Sequence, residues 1–114
     1  MKSVDEILAM DDAHRELVPV PEWGESITVC SMTGEERADI ERMWANRQAS
    51  SDPAQFRADV LARTLKNGDG KPWCTFEQAR SLLRKNAGAV ERLFSAACRL
   101  SGLSKADVEE LEKN

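Results

Sequence analysis

The most regular alternation of apolar and polar positions runs from Asn86 to Leu111. Val90, Leu93, Phe94, Ala97 and Leu100 recur at three- and four-residue steps, which sets them on one face of a helix, while Glu91, Arg92 and Arg99 fall on the others. Asn86 suits an N-cap, and Gly102 stands where a left-handed glycine ends a helix and lets Leu103 fold back on the last turn. Ser104 then opens a further short helix, with Asp107 in a capping-box position and Val108 and Leu111 as its apolar edge. The stretch predicts a central helix followed by a small capped appendage whose polar end carries no docking signal.

The same signals recur upstream. Ser3 with Glu6 forms a capping box for a short helix that ends near Met10, with Val4, Ile7 and Leu8 as its stripe. Residues 11–16 read as a polar connector. Leu17-Val18-Pro19-Val20-Pro21 reads as an extended edge strand, because each proline biases its predecessor away from helix and has no N–H for a central ladder. Glu22-Trp23-Gly24-Glu25 supplies a turn, and Ile27, Val29 and Ser31 then alternate with Thr28, Cys30 and Met32 as in a half-buried strand. A lone hairpin is marginal in water, so this one must rest on helices or lend its edge to another subunit. That requirement makes Val18 and Val20 candidate contacts for self-association.

Thr33 with Glu36 opens a helix whose inner side is Ile40, Met43, Trp44 and Arg47. After Gln48-Ala49-Ser50-Ser51, Asp52 and Pro53 open another, with Phe56, Val60, Leu61, Thr64 and Leu65 on one face. Asn67-Gly68-Asp69-Gly70 is a turn, and Lys71-Pro72-Trp73-Cys74 is extended. Thr75 with Gln78 caps a helix carrying Phe76, Ala79, Leu82 and Leu83. The expected fold is α+β and mostly α, a small N-terminal β-hairpin packed on a bundle of four to five short helices. One domain, residues 1–114, comprises a hairpin at 17–32, a helical core at 33–103 and a C-terminal capped helix and tail at 104–114.

Composition narrows the function. The 114 residues are 41% hydrophobic, but many of those are alanine, so the core is modest. A net charge of −4 and a pI near 5.1 argue against a surface that neutralises phosphates, and no apolar run approaches the roughly 18 residues of a membrane helix. Neither nucleic acid nor membrane is an expected partner, and with no signal-peptide core at Met1–Glu6 the chain is expected to stay where it is made. Protein partners remain.

Candidate chemistry is sparse. Cys30, Cys74 and Cys98 lack a C-x-x-C spacing, and His14 is the one histidine, so neither a metal site nor a disulfide framework is indicated. His14 lies in a polar connector without a nucleophile in sequence reach. Asn67-Gly68-Asp69-Gly70 has the middle of a calcium loop without its ligand series. No cofactor, catalytic residue or enzymatic role is expected. Three tryptophans without a tyrosine are a large aromatic payload for so small a core. Trp44 falls at helical spacing from Ile40, whereas Trp23 at a turn and Trp73 in a loop are candidate partner anchors, joined by Val108 and Leu111 on the terminal helix.

Two stretches bracket nearly the whole chain and carry a resemblance. The C-terminal one contains Leu93-Phe94, then Arg99-Leu100-Ser101-Gly102-Leu103-Ser104, then Asp107-Val108-Glu109-Glu110-Leu111-Glu112-Lys113-Asn114. The other contains Val20-Pro21-Glu22-Trp23-Gly24, an alternating strand, and Met32-Thr33-Gly34-Glu35-Glu36-Arg37. Together they resemble the tail assembly chaperones of long-tailed bacteriophages. The resemblance implies a non-enzymatic protein of the infected bacterial cytoplasm that coats the tape measure protein, promotes tail tube assembly and is absent from the finished tail. It also implies a longer product, made by programmed ribosomal frameshifting, whose added domain contacts the tail tube protein. Lysine and asparagine codons for Lys113 and Asn114 can be written as an A-rich slippery run, and residues 104–114 are then expected to form a mobile connector. The residues alone support a small acidic adaptor. A DNA-binding regulator, with Phe76–Leu100 as two helices bearing Arg80, Arg84 and Lys85, is a rival whose basic charges are offset by the acidic remainder.

Overall fold

The computed structural model describes residues 1–45 and 52–112, and the reading of Arg47, of residues 48–51 and of Lys113 and Asn114 lies outside them. In chain order the elements are α1 (Val4–Leu8), β1 (Arg15–Val20), a 3-10 turn (Pro21–Trp23), β2 (Glu25–Cys30), α2 (Gly34–Ala45), α3 (Pro53–Thr64), β3 (Leu65–Lys66), α4 (Phe76–Leu82), α5 (Ala87–Leu100) and α6 (Lys105–Glu112). The architecture is α+β and mostly α.

Local capping chemistry sets most of these boundaries. Ser3 with Glu6, Thr33 with Glu36, Thr75 with Gln78 and Ser104 with Asp107 each exchange reciprocal side-chain to backbone hydrogen bonds of 2.9–3.2 Å. Asp52 and Asn86 cap α3 and α5 by accepting from the Ala54 and Ala89 amides at 2.9 and 3.0 Å. At the end of α5, Gly102 takes φ +73°, its amide donates to the Arg99 carbonyl at 3.3 Å, and that of Leu103 donates to the Cys98 carbonyl at 2.9 Å. This is a complete Schellman closure, and it buries Leu103.

The hairpin pairs Arg15 with Cys30 through to Val20 with Glu25. Its sheet has a third strand that the sequence does not predict. Leu65 is buried as its helical spacing implies, but α3 stops at Thr64, and Leu65 turns extended and pairs with Val29. A two-residue strand has no period to betray it. The Asn67–Gly70 turn then folds the chain back, so that the Trp73 amide donates to the Leu65 carbonyl at 3.0 Å. Met43 is another difference: α2 turns Ile40 and Trp44 inward and leaves Met43 half exposed.

Aromatic contacts join the helices. Trp44 of α2 meets Phe56 of α3 edge to face at 5.5 Å, and Phe56 meets Phe94 of α5 at 6.2 Å. The Arg57 guanidinium lies 4.4 Å above the Phe94 ring. Among the described residues the two buried polar side chains are partnered: Asp59 accepts from Arg63 Nε at 2.9 Å and from Trp44 Nε1 at 3.5 Å, and the Thr64 hydroxyl donates to the Val60 carbonyl at 2.8 Å.

Charged contacts hold the periphery. Arg92 of α5 grips Glu22 at the hairpin turn with two bonds of 2.9 and 3.0 Å, and Arg99 pairs with Glu16 at 2.6 Å. These two pins set α5 antiparallel to β1. Helix α6, expected as a connector held only by Val108 and Leu111, has further attachments to α2 and α3. Glu112 lies 3.6 Å from Arg57 and Asp107 lies 3.8 Å from Arg37, whose guanidinium also donates to the Gly102 carbonyl at 3.2 Å.

Phe56→Ala removes the ring common to both aromatic contacts from a fully buried site. Urea unfolding of that variant is expected to show a loss of about 3–5 kcal/mol, and a loss below about 1 kcal/mol would place the centre of the core elsewhere.

Candidate partner-binding surfaces

Strand β1 is one edge of the sheet, whose order is β1-β2-β3. The Ser31 amide donates to the His14 carbonyl, so by antiparallel alternation Glu16, Val18 and Val20 direct their backbone groups to β2, and Leu17 and Pro19 direct theirs outward. Proline has no N–H to offer, and the Pro19 carbonyl accepts from Arg92 at 3.4 Å. The open edge is therefore centred on the backbone of Leu17, whose side chain is 65% exposed.

The reading of Val18 and Val20 as partner contacts is corrected here. They are 5% and 0% exposed and belong to the core, because the pleat that turns Leu17 and Pro19 outward turns both valines onto the helices. A charge at either position would enter the core.

Trp23 and Trp73 are brought together although 50 positions separate them in the chain. Both line a cleft of about 590 Å³ with Ile27, Leu82 and Lys85, beside the hairpin turn. Around Trp73 this continues into a second cleft of about 480 Å³, where Glu77, Gln78, Ser81 and Leu82 of α4 are joined by Cys74 before it and Lys85 after it. Trp23 packs partly on the core, whereas Trp73 is 40% exposed. Leu82, read from the sequence as part of a helical face, and Lys85, read as one of three basic charges of the same stretch, complete the walls. The helix that carries Leu82 and leads to Lys85 was legible, but the approach of α4 to the hairpin was not.

Val108 and Leu111 lie elsewhere. Both are half-buried against the core, and Val108 lines a cleft of about 390 Å³ between α5 and α6 with Phe94, Cys98 and Leu103. Burial pushes the Cys98 thiol up to about 11, which keeps it protonated and a poor nucleophile at neutral pH. Burial raises the Cys74 thiol as well. His14 is exposed, and its amide donates to the Ser31 hydroxyl at 3.0 Å. Among the described residues no three His, Cys, Asp or Glu side chains converge as metal ligands, and no helix is long and apolar enough to cross a membrane. Around the tryptophan clefts Lys85 shares the rim with Glu22, Glu25 and Glu77, a mixed-sign surface unlike the basic stripe that reads phosphates.

No protein-family model matches the chain, and a search of curated proteins finds no relative. Among solved structures it is similar to the bacteriophage HK97 tail assembly chaperone, with a TM-score of 0.60 and 16% identity over 90% of this chain and 96% of that one. The two proteins share a fold. At that identity the likeness rests on backbone path.

The Arg92 grip lowers the Glu22 carboxyl from its ordinary 4.5 to about 2. A depressed carboxylate contributes stability that is present above its unfolded value and lost as pH falls through its folded value, so the hairpin turn is expected to loosen from about pH 4.5 down to about 2. Carboxyl NMR titration checks this: Arg92→Gln should raise the Glu22 titration toward the ordinary range, leaving the part that a backbone hydrogen bond holds down, and an unchanged titration would show that Arg92 does not hold it.

Proposed function

We propose that this protein is a phage tail assembly chaperone, a non-enzymatic protein that binds the tape measure protein in the cytoplasm of the infected host and is left behind when the tail tube is complete. The observation that carries this reading is the fold likeness to the HK97 chaperone over 90% of the chain. The surface adds physical support. A tape measure protein is long and helical, with apolar faces that aggregate when bare, and a small acidic protein bound in many copies would keep it soluble. The tryptophan clefts are apolar and open, and they place Trp73, a residue type that dominates binding hot spots, at their junction.

A longer frameshifted product would carry its added domain beyond Glu112, whose carboxylate sits beside Arg57, and that domain would contact the tail tube protein. Helix α6 would then serve as a docked base for it.

Co-expression with the tape measure protein encoded by the same phage, followed by affinity capture, is expected to recover the two together. Trp73→Ala should reduce that recovery at least tenfold, a loss of about 1.4 kcal/mol, while leaving the circular dichroism spectrum unchanged. Equal recovery of tape measure protein by an unrelated acidic bait would overturn the reading. Mass spectrometry of infected cells should find a longer species sharing this N-terminus; its absence, or codons for Lys113 and Asn114 without a slippery heptamer, would remove the frameshift.

A further inference from the structure

Helix α6 lies over the rest of the fold without being built into it. None of its residues is fully buried, and Val108 and Leu111, its apolar holds, are only half covered by the core. A helix of eight residues, about 12 Å long, does not sustain itself in water, so its position depends on what it touches. Between it and α5 remains a cleft of about 390 Å³ floored by Phe94, Cys98 and Leu103, side chains otherwise closed to solvent. Charged ties stand at both ends, with Asp107 3.8 Å from Arg37 and Glu112 3.6 Å from Arg57.

We propose that α6 is a displaceable strap, which swings out about the Leu103–Ser104 link and uncovers the groove floored by Phe94 and Cys98, and that ionic strength sets how often it does so. Three observations carry this. First, the link joins two self-contained closures. The Schellman bonds from Gly102 and Leu103 return to Arg99 and Cys98 of α5, and the Ser104–Asp107 box closes inside α6, so the swing breaks neither. The base of the strap stays fixed, because the Ser101 hydroxyl accepts from the Met32 amide at 3.0 Å and the Gly102 carbonyl accepts from Arg37 at 3.2 Å.

Second, lifting α6 orphans no charge. Arg37 keeps Glu41 at 3.5 Å, Arg57 keeps Glu91 at 2.8 Å and its place over Phe94, and the Asp107 carboxylate keeps the Ser104 amide at 2.9 Å. A buried ion left alone is the usual obstacle to such a motion, and this one creates none. Third, the two ties that break are longer than a hydrogen bond and partly exposed, the kind that salt screens. Against opening stands the half-burial of Val108 and Leu111. The closed strap hides an apolar floor that would otherwise add to the exposed surface of the free protein. The motion needs only the chain itself and stands or falls apart from tape measure binding.

Modification of Cys98 by iodoacetamide on the full chain, followed by mass spectrometry peptide by peptide, tests it, with Cys30, buried in β2, as the internal reporter of opening elsewhere. Each rate is divided by the ionised fraction of its thiol, read from its own pH profile, so that it reports access. Raising NaCl from about 10 mM to about 1 M should speed Cys98 about two- to fivefold and leave Cys30 unchanged. Arg57, Glu91 and Glu112 are the charges that act on the Cys98 thiol, and Asp107 stands at the other end of α6. Asp107→Asn keeps an oxygen for the cap and removes the tie to Arg37, so at low salt it should give a gain of similar size, with circular dichroism and thermal midpoint matching the parent. Val108→Asp sets a charge into the cleft and should speed Cys98 about tenfold or more. Cys98 rates that track those of Cys30 through the salt series and in Asp107→Asn, or a Val108→Asp chain whose Cys98 reacts as slowly as the parent's, would each overturn the strap.

Discussion

Phe56 is the contact on which the helical layer depends. Its ring is closed to solvent and stands edge to face with both Trp44 and Phe94, so α2, α3 and α5 converge on one side chain. The next residue carries the contact outward. Arg57 covers Phe94 and reaches Glu91 at 2.8 Å and Glu112 at 3.6 Å, so one guanidinium links α3, α5 and α6. Ion pairs of such partial exposure are weak taken singly. Their role here is to fix the direction in which α6 leaves the aromatic centre.

The sheet depends on α5 in a different way. A two-stranded hairpin is marginal alone, and here it acquires Leu65 and Lys66 as a third strand and an underlying helix whose inner face buries Val90, Leu93, Phe94 and Ala97. Val18, Val20, Ile27 and Val29 all turn to that helix. This packing is why the edge of β1 has no buried-type side chains left for a partner: the strand's larger apolar groups are already used, apart from Leu17. What the edge retains is backbone, reduced further by a proline and by the arginine on its carbonyl.

Where the sequence was legible, the information was local. Ser3, Thr33, Thr75 and Ser104 each sit three residues before a side chain able to return their hydrogen bond, and the structure closes all four pairs. The apolar face of α5 was legible for the same reason, since a period needs no knowledge of distant chain. Features that depend on chain far away were not. Leu65 has the same burial in a helix as in a strand, and only its pairing with Val29 separates the two. The spacing of Met43 matched that of Ile40, yet the side that α2 turns to Phe56 excludes it. Trp23 and Trp73 were singled out as residue types, but their shared cleft exists only because α4 returns to the hairpin turn, and Leu82 and Lys85 carried no signal of that approach.

The distribution of apolar volume is unusual for a chain that works alone. Ala58, Ala79, Ala89, Ala96 and Ala97 fill buried positions, while Val4, Ile7, Leu8, Leu17, Trp73 and Phe76 remain exposed. A monomer gains most stability by placing its largest apolar groups inside, and scattered single exceptions need no cause. These exceptions are grouped, with Val4, Ile7 and Leu8 together on α1 ahead of the strand that carries Leu17, and Trp73 with Phe76 where α4 begins. Small residues inside, Ala79 among them, allow a helix as short as α4 to pack closely on α3. The large residues outside then leave the molecule with apolar surface at two places that its own short elements cannot cover. Backbone likeness to a tail chaperone at 16% identity is compatible with very different surfaces. The grouping of exposed side chains on this chain is therefore the more direct pointer to association, because it follows from its own residues.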